Sequence, residues 1–401
     1  MNELSSLGLI LLLALGAGHL VKFARVPEVS GYIVAGVVLG PSVLGWVSQQ
    51  NLSALEILSE VALGLILFSV GTVFEASRFR RVGRQVLLLT LIESALAAAI
   101  VCVGMLVLGQ SWKTAFLLGS IAVATAPAST LMVVRENDSA GPLTDSLLAI
   151  IALNNIYCII AYSLVAAAID LASGLDGSPG LVHALYLSLY PLVWQLLGSV
   201  ALGFLVGMLL AAWASKVTET GETLILLGGA ILLCVGLARL LDLSPLIASM
   251  AVGATMANFT DHGAPLFDTL ARADPPFYAI FFVLAGADLD LGLVGSLGLT
   301  GAVYLVGRAA GKLLGAGLGA AWLGMEPTVR RFLGLALMAQ AGLAVGLVIA
   351  IQRRFAELAP AVTTIVLASV VVYEIVGPIS TRFALVRAGE SSLSRRDELV
   401  I

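Results

Sequence analysis

The sequence predicts an all-α, polytopic membrane protein, on three observations. Of its 401 residues 59% are hydrophobic and 11% charged, and the mean hydropathy is +1.04, a composition outside the range of soluble globular domains. Apolar runs of about 20 residues, enough for a helix to cross a ~30 Å hydrocarbon core, recur along the whole chain. Polar residues, Pro and Gly gather between these runs. No phosphate loop, dinucleotide fingerprint or nucleophile elbow has a credible setting, so neither an enzyme, a cofactor nor a nucleic-acid partner is expected. The formal charge of -4 says little about partners, because Lys and Arg placement sets membrane topology.

Cutting at the punctuation gives about thirteen spans, near 6–24, 28–46, 53–74, 85–109, 113–135, 145–170, 182–215, 222–240, 244–260, 275–290, 293–323, 328–352 and 360–385. Ser5 to Ala24 is long enough to span and is followed by more spans, so no cleavable signal is expected. The seventh and eleventh are longer than one crossing needs, which predicts strong tilt or interfacial turns. Basic residues test the parse. Loops on the side reached after odd-numbered spans, with the C-terminal tail, hold fifteen Lys and Arg, and the other side only Lys113, Arg239, Arg353 and Arg354. The odd side is therefore expected to be cytoplasmic, with the N-terminus outside the cell (inner) membrane. Cys102, Cys158 and Cys234 lie alone in apolar sequence, and His19, His183 and His262 are scattered, so neither disulfide nor metal site is predicted.

The remaining basic residues, Arg308 and Lys312, fall inside the eleventh span. Four residues apart, they stack on one helix face among glycines that permit close backbone approach. Each costs about 2.5–3.5 kcal/mol to insert at that depth unless an anion, a water-filled cavity or snorkelling relieves it, and the apolar residues on both sides disfavour snorkelling. In the fifth span Pro127, after Thr125 and Ala126, removes a donor and leaves carbonyls near Val123 open. The twelfth carries Gln340 and Gly342 at similar depth. Taken singly, a membrane proline is a kink and a lone Gln is interhelical glue. Together they occupy the fifth place of two six-span sets joined by span seven. An offset of seven spans makes those repeats inverted, and paired interruptions in inverted repeats point to a midplane site.

In the sixth span Asn154 and Asn155 sit near the middle of an apolar run from Leu147 to Ala168, as helix glue or as the lining of a polar path. Glu93 in the fourth span and Glu374 in the thirteenth are also enclosed by apolar sequence. Either is a candidate to neutralise Arg308 or Lys312, or to carry a proton.

In order along the chain, Val26-Pro27-Glu28-Val29-Ser30-Gly31-Tyr32, Leu63 to Gly71, Ala124-Thr125-Ala126-Pro127-Ala128, Phe281 to Asp290, Gly307 to Gly315 and Glu374 to Pro378 resemble the membrane domain of the monovalent cation/proton antiporter superfamily. The resemblance implies panel helices at 1–74 and 222–290, core helices at 83–170 and 293–385, a linking helix at 182–215 and a short cytoplasmic tail at 386–401. It further implies a homodimer through the panel, crossed broken helices, and elevator-type exchange of Na⁺ or K⁺ for H⁺. Asn154 and Asn155 stand where the family commonly carries its acidic pair, and Ala126 where one branch has an aspartate. An amide coordinates a cation through its carbonyl but does not exchange protons near neutral pH. Three readings stay open: a silenced exchanger, coupling through Glu93 or Glu374, or an anion or uncoupled transporter using Arg308 and Lys312.

Overall fold

A computed structural model describes residues 3–24, 26–72, 74, 76–173, 181–214, 216–217, 219–260 and 263–392. Arg25, His262, Arg395 and Arg396 lie outside the described residues, as do the side chains of Arg78, Arg80, Arg81, His183 and Arg272. The described residues form helices and no strand, and eight stretches are long and apolar enough to cross a membrane. The chain divides into two compact units, Met1–Gly83 with Val193–Leu289, and Arg84–Leu192 with Asp290–Ile401.

The first unit contains α1 (Glu3–Phe23), α2 (Glu28–Leu39), α3 (Gln49–Gly71), most of α8 (Leu181–Ala214), α9 (Thr220–Leu240), α10 (Pro245–Phe259) and α11 (Gly263–Ala287). Lipid supplies no hydrophobic drive between helices, so close packing of small residues has to hold them. Accordingly α2 lies on α11 and α3 on α10 at backbone contact. A Cβ on Gly36 would stand 2.1 Å from the Val283 carbonyl oxygen, and one on Gly71 2.0 Å from that of Met250. Phe68, Leu227, Ile231, Val252 and Met256 fill the space between α3, α9 and α10. The tenth span was expected to start at Pro275; α11 instead begins at Gly263 and runs through Pro275 and Pro276. Two lost donors do not end a membrane helix whose neighbours and local geometry re-satisfy the freed carbonyls.

The second unit contains α4 (Ala76–Val107), α5 (Trp112–Ala122), α6 (Pro127–Glu136), α7 (Pro142–Ser173), α12 (Gly292–Gly295), α13 (Gly298–Trp322), α14 (Pro327–Ala336), α15 (Gly342–Arg354) and α16 (Ala359–Arg387). The expected eleventh span, 293–323, is divided: one turn of α12 precedes α13, which starts at Gly298 in the left-handed region, φ 54°. The expected fifth and twelfth spans are each two half-helices. Residues 389–392 fold back on the turn before α7. The buried Glu390 carboxylate accepts the Leu143 and Thr144 backbone N–H groups and the Thr144 hydroxyl, each at 2.7 Å. Two main-chain bonds, Ala140 N–H to Glu390 O and Ser392 N–H to Asn137 O, complete the clasp. At their other ends, α7 and α15 are joined by an Asp170–Arg354 ion pair.

Candidate functional site

The site is built where the two interrupted helices meet. Ser111 caps α5, accepting the Thr114 N–H at 3.1 Å, and α5 stops at Ala122 because Pro127 has no N–H for the Val123 carbonyl and crowds the preceding turn. The same proline then serves as the first residue of α6, where its missing donor costs nothing. The second gap, between Ala336 and Gly342, has no proline and is held by tertiary contacts. The gaps touch through one bond, Ala126 N–H to Ala339 O at 3.0 Å.

Buried backbone carbonyls need donors, and here side chains supply them. Arg308 donates to Met338 O at 2.7 Å, Ala124 O at 2.7 Å and Ala339 O at 3.2 Å, so one guanidinium fastens both gaps. Its carbon lies 4.3 Å from the Tyr373 ring centre, a second favourable setting for a buried cation. One turn on, the Lys312 ammonium donates to Val123 O at 2.8 Å and to Thr125 Oγ1 at 2.9 Å. The carbonyls near Val123, open in the sequence reading, are thus held by Arg308 and Lys312.

Lys312 also forms an ion pair with Glu93 on α4, Nζ to Oε1 at 2.7 Å, with both side chains fully buried. This approach needs glycine: a Cβ on Gly315 would sit 2.7 Å from the Glu93 Cα, and one on Gly311 2.5 Å from the Ala97 Cα. Asn154 closes the cluster. Its neighbours are satisfied when the amide nitrogen faces Glu93 Oε2 at 3.1 Å and Ser94 Oγ at 3.0 Å, with the oxygen facing Thr125 Oγ1 at 3.0 Å and Lys312 Nζ at 3.1 Å. That orientation follows from the donors and acceptors around it. Glu93, Asn154, Thr125 and Lys312 therefore form one buried network.

Of the other sequence candidates, Gln340 joins the two gaps, whereas Asn155 and Glu374 make no side-chain hydrogen bond to this network among the described residues. Gln340, fully buried, donates to Ile121 O and to the Tyr304 hydroxyl, each at 3.1 Å, and accepts from Ser369 at 3.3 Å. It braces the two gaps. Asn155 is buried and its Oδ1 has no partner among the described residues. Glu374 is buried in α16 and forms no ion pair among the described residues; its Oε2 is unpartnered. It shares a helix face with Gly377, whose absent Cβ would lie 2.6 Å from the Ala339 Cα. Ala126 and Pro127 form the junction into α6, and Gly342 opens α15. Sequence reasoning passed over Ser94, Tyr304 and Ser369. Tyr304 had a signal, since it precedes Arg308 by one turn and Lys312 by two on the same face of α13.

The sequence model of the transmembrane sodium/hydrogen exchanger family matches residues 8–387. The chain belongs to this family. The exchanger is 25% identical over 337 residues to the ammonium/H⁺ antiporter subunit AmhT of Alkalihalophilus pseudofirmus, covering 84% of this chain and 83% of that one. A shorter match, 30% identical over 136 residues, is to the iron transporter MagA of Paramagnetospirillum magneticum, covering 34% of this chain and 31% of that one. Its fold is similar to that of the sodium proton antiporter MjNhaP1 of Methanocaldococcus jannaschii, at a TM-score of 0.70 and 17% identity, covering 98% and 97% of the two chains. The exchanger is thus a multi-pass membrane transporter of the cation/proton antiporter class.

Proposed function

We propose that this exchanger couples a monovalent cation to a proton through Glu93 and Lys312, in place of the acid that Asn154 and Asn155 lack. The observation that carries the reading is the fully buried Glu93–Lys312 pair, held against the α5/α6 gap by Val123 and Thr125 and bridged by Asn154. A buried carboxylate needs a cation beside it. In the proton-loaded state that cation is the Lys312 ammonium. In the cation-loaded state a Na⁺- or K⁺-class ion sits on Glu93, and Lys312 has released its proton to the aqueous phase. The two loaded states carry the same charge, so exchange is one for one and electroneutral. A bare Glu93 beside neutral Lys312 has no compensation and does not cross, which makes the exchange obligatory.

The Lys312 ammonium and both terminal nitrogens of Arg308 donate to oxygens of the protein itself, only Arg308 Nε being without a partner among the described residues, which favours a cation over an anion as cargo. In the proposed cycle the second unit carries the ion by an elevator-like displacement, and the first unit forms a homodimer in the cell membrane, with the C-terminus cytoplasmic. Inverted repeats are supported by the packing. With spans one to six related to spans eight to thirteen, the α2–α11 and α3–α10 contacts exchange into one another, and the α5/α6 gap meets its own counterpart.

The test is flux in proteoliposomes with an internal pH dye and a membrane-potential dye. Cation-driven proton efflux without a potential change, abolished in Glu93→Gln and in Lys312→Met, is the expected result. Asn155→Asp adds a buried titratable group next in sequence to Asn154 and is expected to make exchange electrogenic. Exchange that survives Glu93→Gln overturns the assignment.

A further inference from the structure

The ammonium group of Lys312 is itself a bound cation, and its surroundings describe the ion that can replace it. Four oxygens face Nζ: Glu93 Oε1 at 2.7 Å, Val123 O at 2.8 Å, Thr125 Oγ1 at 2.9 Å and the Asn154 amide oxygen at 3.1 Å. One is a carboxylate, one a backbone carbonyl, one a hydroxyl and one an amide. This set can replace the hydration shell of a monovalent cation, and its spacing is that of N–H···O bonds. We infer that the exchanger is built for cations of ammonium size, the class of K⁺, Rb⁺ and NH₄⁺, and selects against Na⁺ and Li⁺. The inference rests on Glu93 as the cation's carboxylate.

Spacing alone would not discriminate if the oxygens could close around a smaller ion. Here they are braced from behind. Val123 and Thr125 belong to the α5/α6 gap, whose next carbonyl, that of Ala124, is fixed to Met338 and Ala339 through Arg308. On the other side Gln340 ties Ile121 O to Tyr304 and Ser369. The gap is also joined by the Ala126–Ala339 main-chain bond. Glu93 cannot ride closer with its helix, since the Gly315 backbone already lies against it. A sodium ion would therefore keep one or two oxygens at more than its preferred distance and forfeit part of its hydration energy. An ion of ammonium size would not.

The experiment compares K⁺, Rb⁺, Na⁺ and Li⁺ in proteoliposomes at one pH and ionic strength, leaving NH₄⁺ aside because free ammonia crosses lipid. The expected KM for Rb⁺ and K⁺ is at least ten-fold below that for Na⁺, and Li⁺ is poorer still. Gln340→Ala, which removes a brace, is expected to reduce the Rb⁺/Na⁺ preference to within three-fold. The ion-induced rise in melting temperature of the detergent-purified full chain gives the same order without flux. A KM for Na⁺ equal to or below that for Rb⁺, with exchange still abolished by Glu93→Gln, overturns the size selection and leaves the carrier assignment standing. Exchange that survives Glu93→Gln defeats both. Failure of Rb⁺ either to drive proton efflux or to raise the melting temperature also overturns the inference.

Discussion

Removing one partner of the Glu93–Lys312 pair is the sharpest perturbation the structure offers. Lys312→Met leaves the carboxylate in a site with no exposure, which costs about 3–5 kcal/mol by the precedent of broken buried pairs. It also takes donors from Val123 O and Thr125 Oγ1, adding about 1 kcal/mol for each acceptor left dry. Glu93→Gln is milder, about 2–3 kcal/mol, because an amide still accepts from Lys312 and Ser94. The double variant strands no charge, so its loss should fall short of the sum of the singles by about 3 kcal/mol. Unfolding free energies from SDS titration of the full chain in mixed micelles, at fixed pH and salt, read this difference directly. Losses that add to within about 0.5 kcal/mol would mean the two side chains do not depend on one another, and the proposed exchange would lose its physical basis.

Pro127→Ala creates an N–H whose helical acceptor is Val123 O, the oxygen Lys312 holds at 2.8 Å. Flux should fall at least ten-fold while SDS stability changes by less than about 1 kcal/mol, and wild-type flux in this variant would separate the gap from transport. Glu374→Gln should retain one-for-one exchange, because the carboxylate belongs to no ion pair among the described residues; abolished flux would move the proton carrier to α16. Glu390→Ala removes three charge-assisted bonds at the start of α7 and should cost about 2–3 kcal/mol. Gly141→Ala, whose Cβ would lie 2.4 Å from the Glu390 Cδ, should lower stability in the same SDS assay. Full stability in both would show that the clasp does not hold the second unit together.

The parts of the fold that could be read from the sequence are those where a residue is costly unless something specific relieves it. Pro127 in an apolar run announces a gap, and Arg308 with Lys312 in another announces a polar interior. Helix limits were less legible. Pro275 and Pro276 read as a boundary, yet α11 absorbs both. The one-turn α12 before α13 has no signature beyond a run of glycines and leucines. Within the site, Glu93 and Glu374 were equal candidates to neutralise the basic pair. Only packing distinguishes them, because Gly311 and Gly315 bring α4 against the Lys312 face of α13. Glu390 was invisible as a structural residue: near a chain end a carboxylate looks solvated, and no local pattern says that it reaches a turn some 250 residues earlier.

The amide at position 154 follows from this arrangement. Its nitrogen faces Glu93 at 3.1 Å and its oxygen faces Lys312 at 3.1 Å, so it serves an anion with a donor and a cation with an acceptor at once. Aspartate there would have two acceptor oxygens and no donor for Glu93. Two carboxylates would then share one ammonium in a dry site, and one of them would have to hold a proton. Asparagine keeps the charge count at one anion and one cation, leaving the exchangeable charge on a single pair. In the proposed cycle, where Lys312 carries the proton and Glu93 the cation, a second acid on α7 is unnecessary.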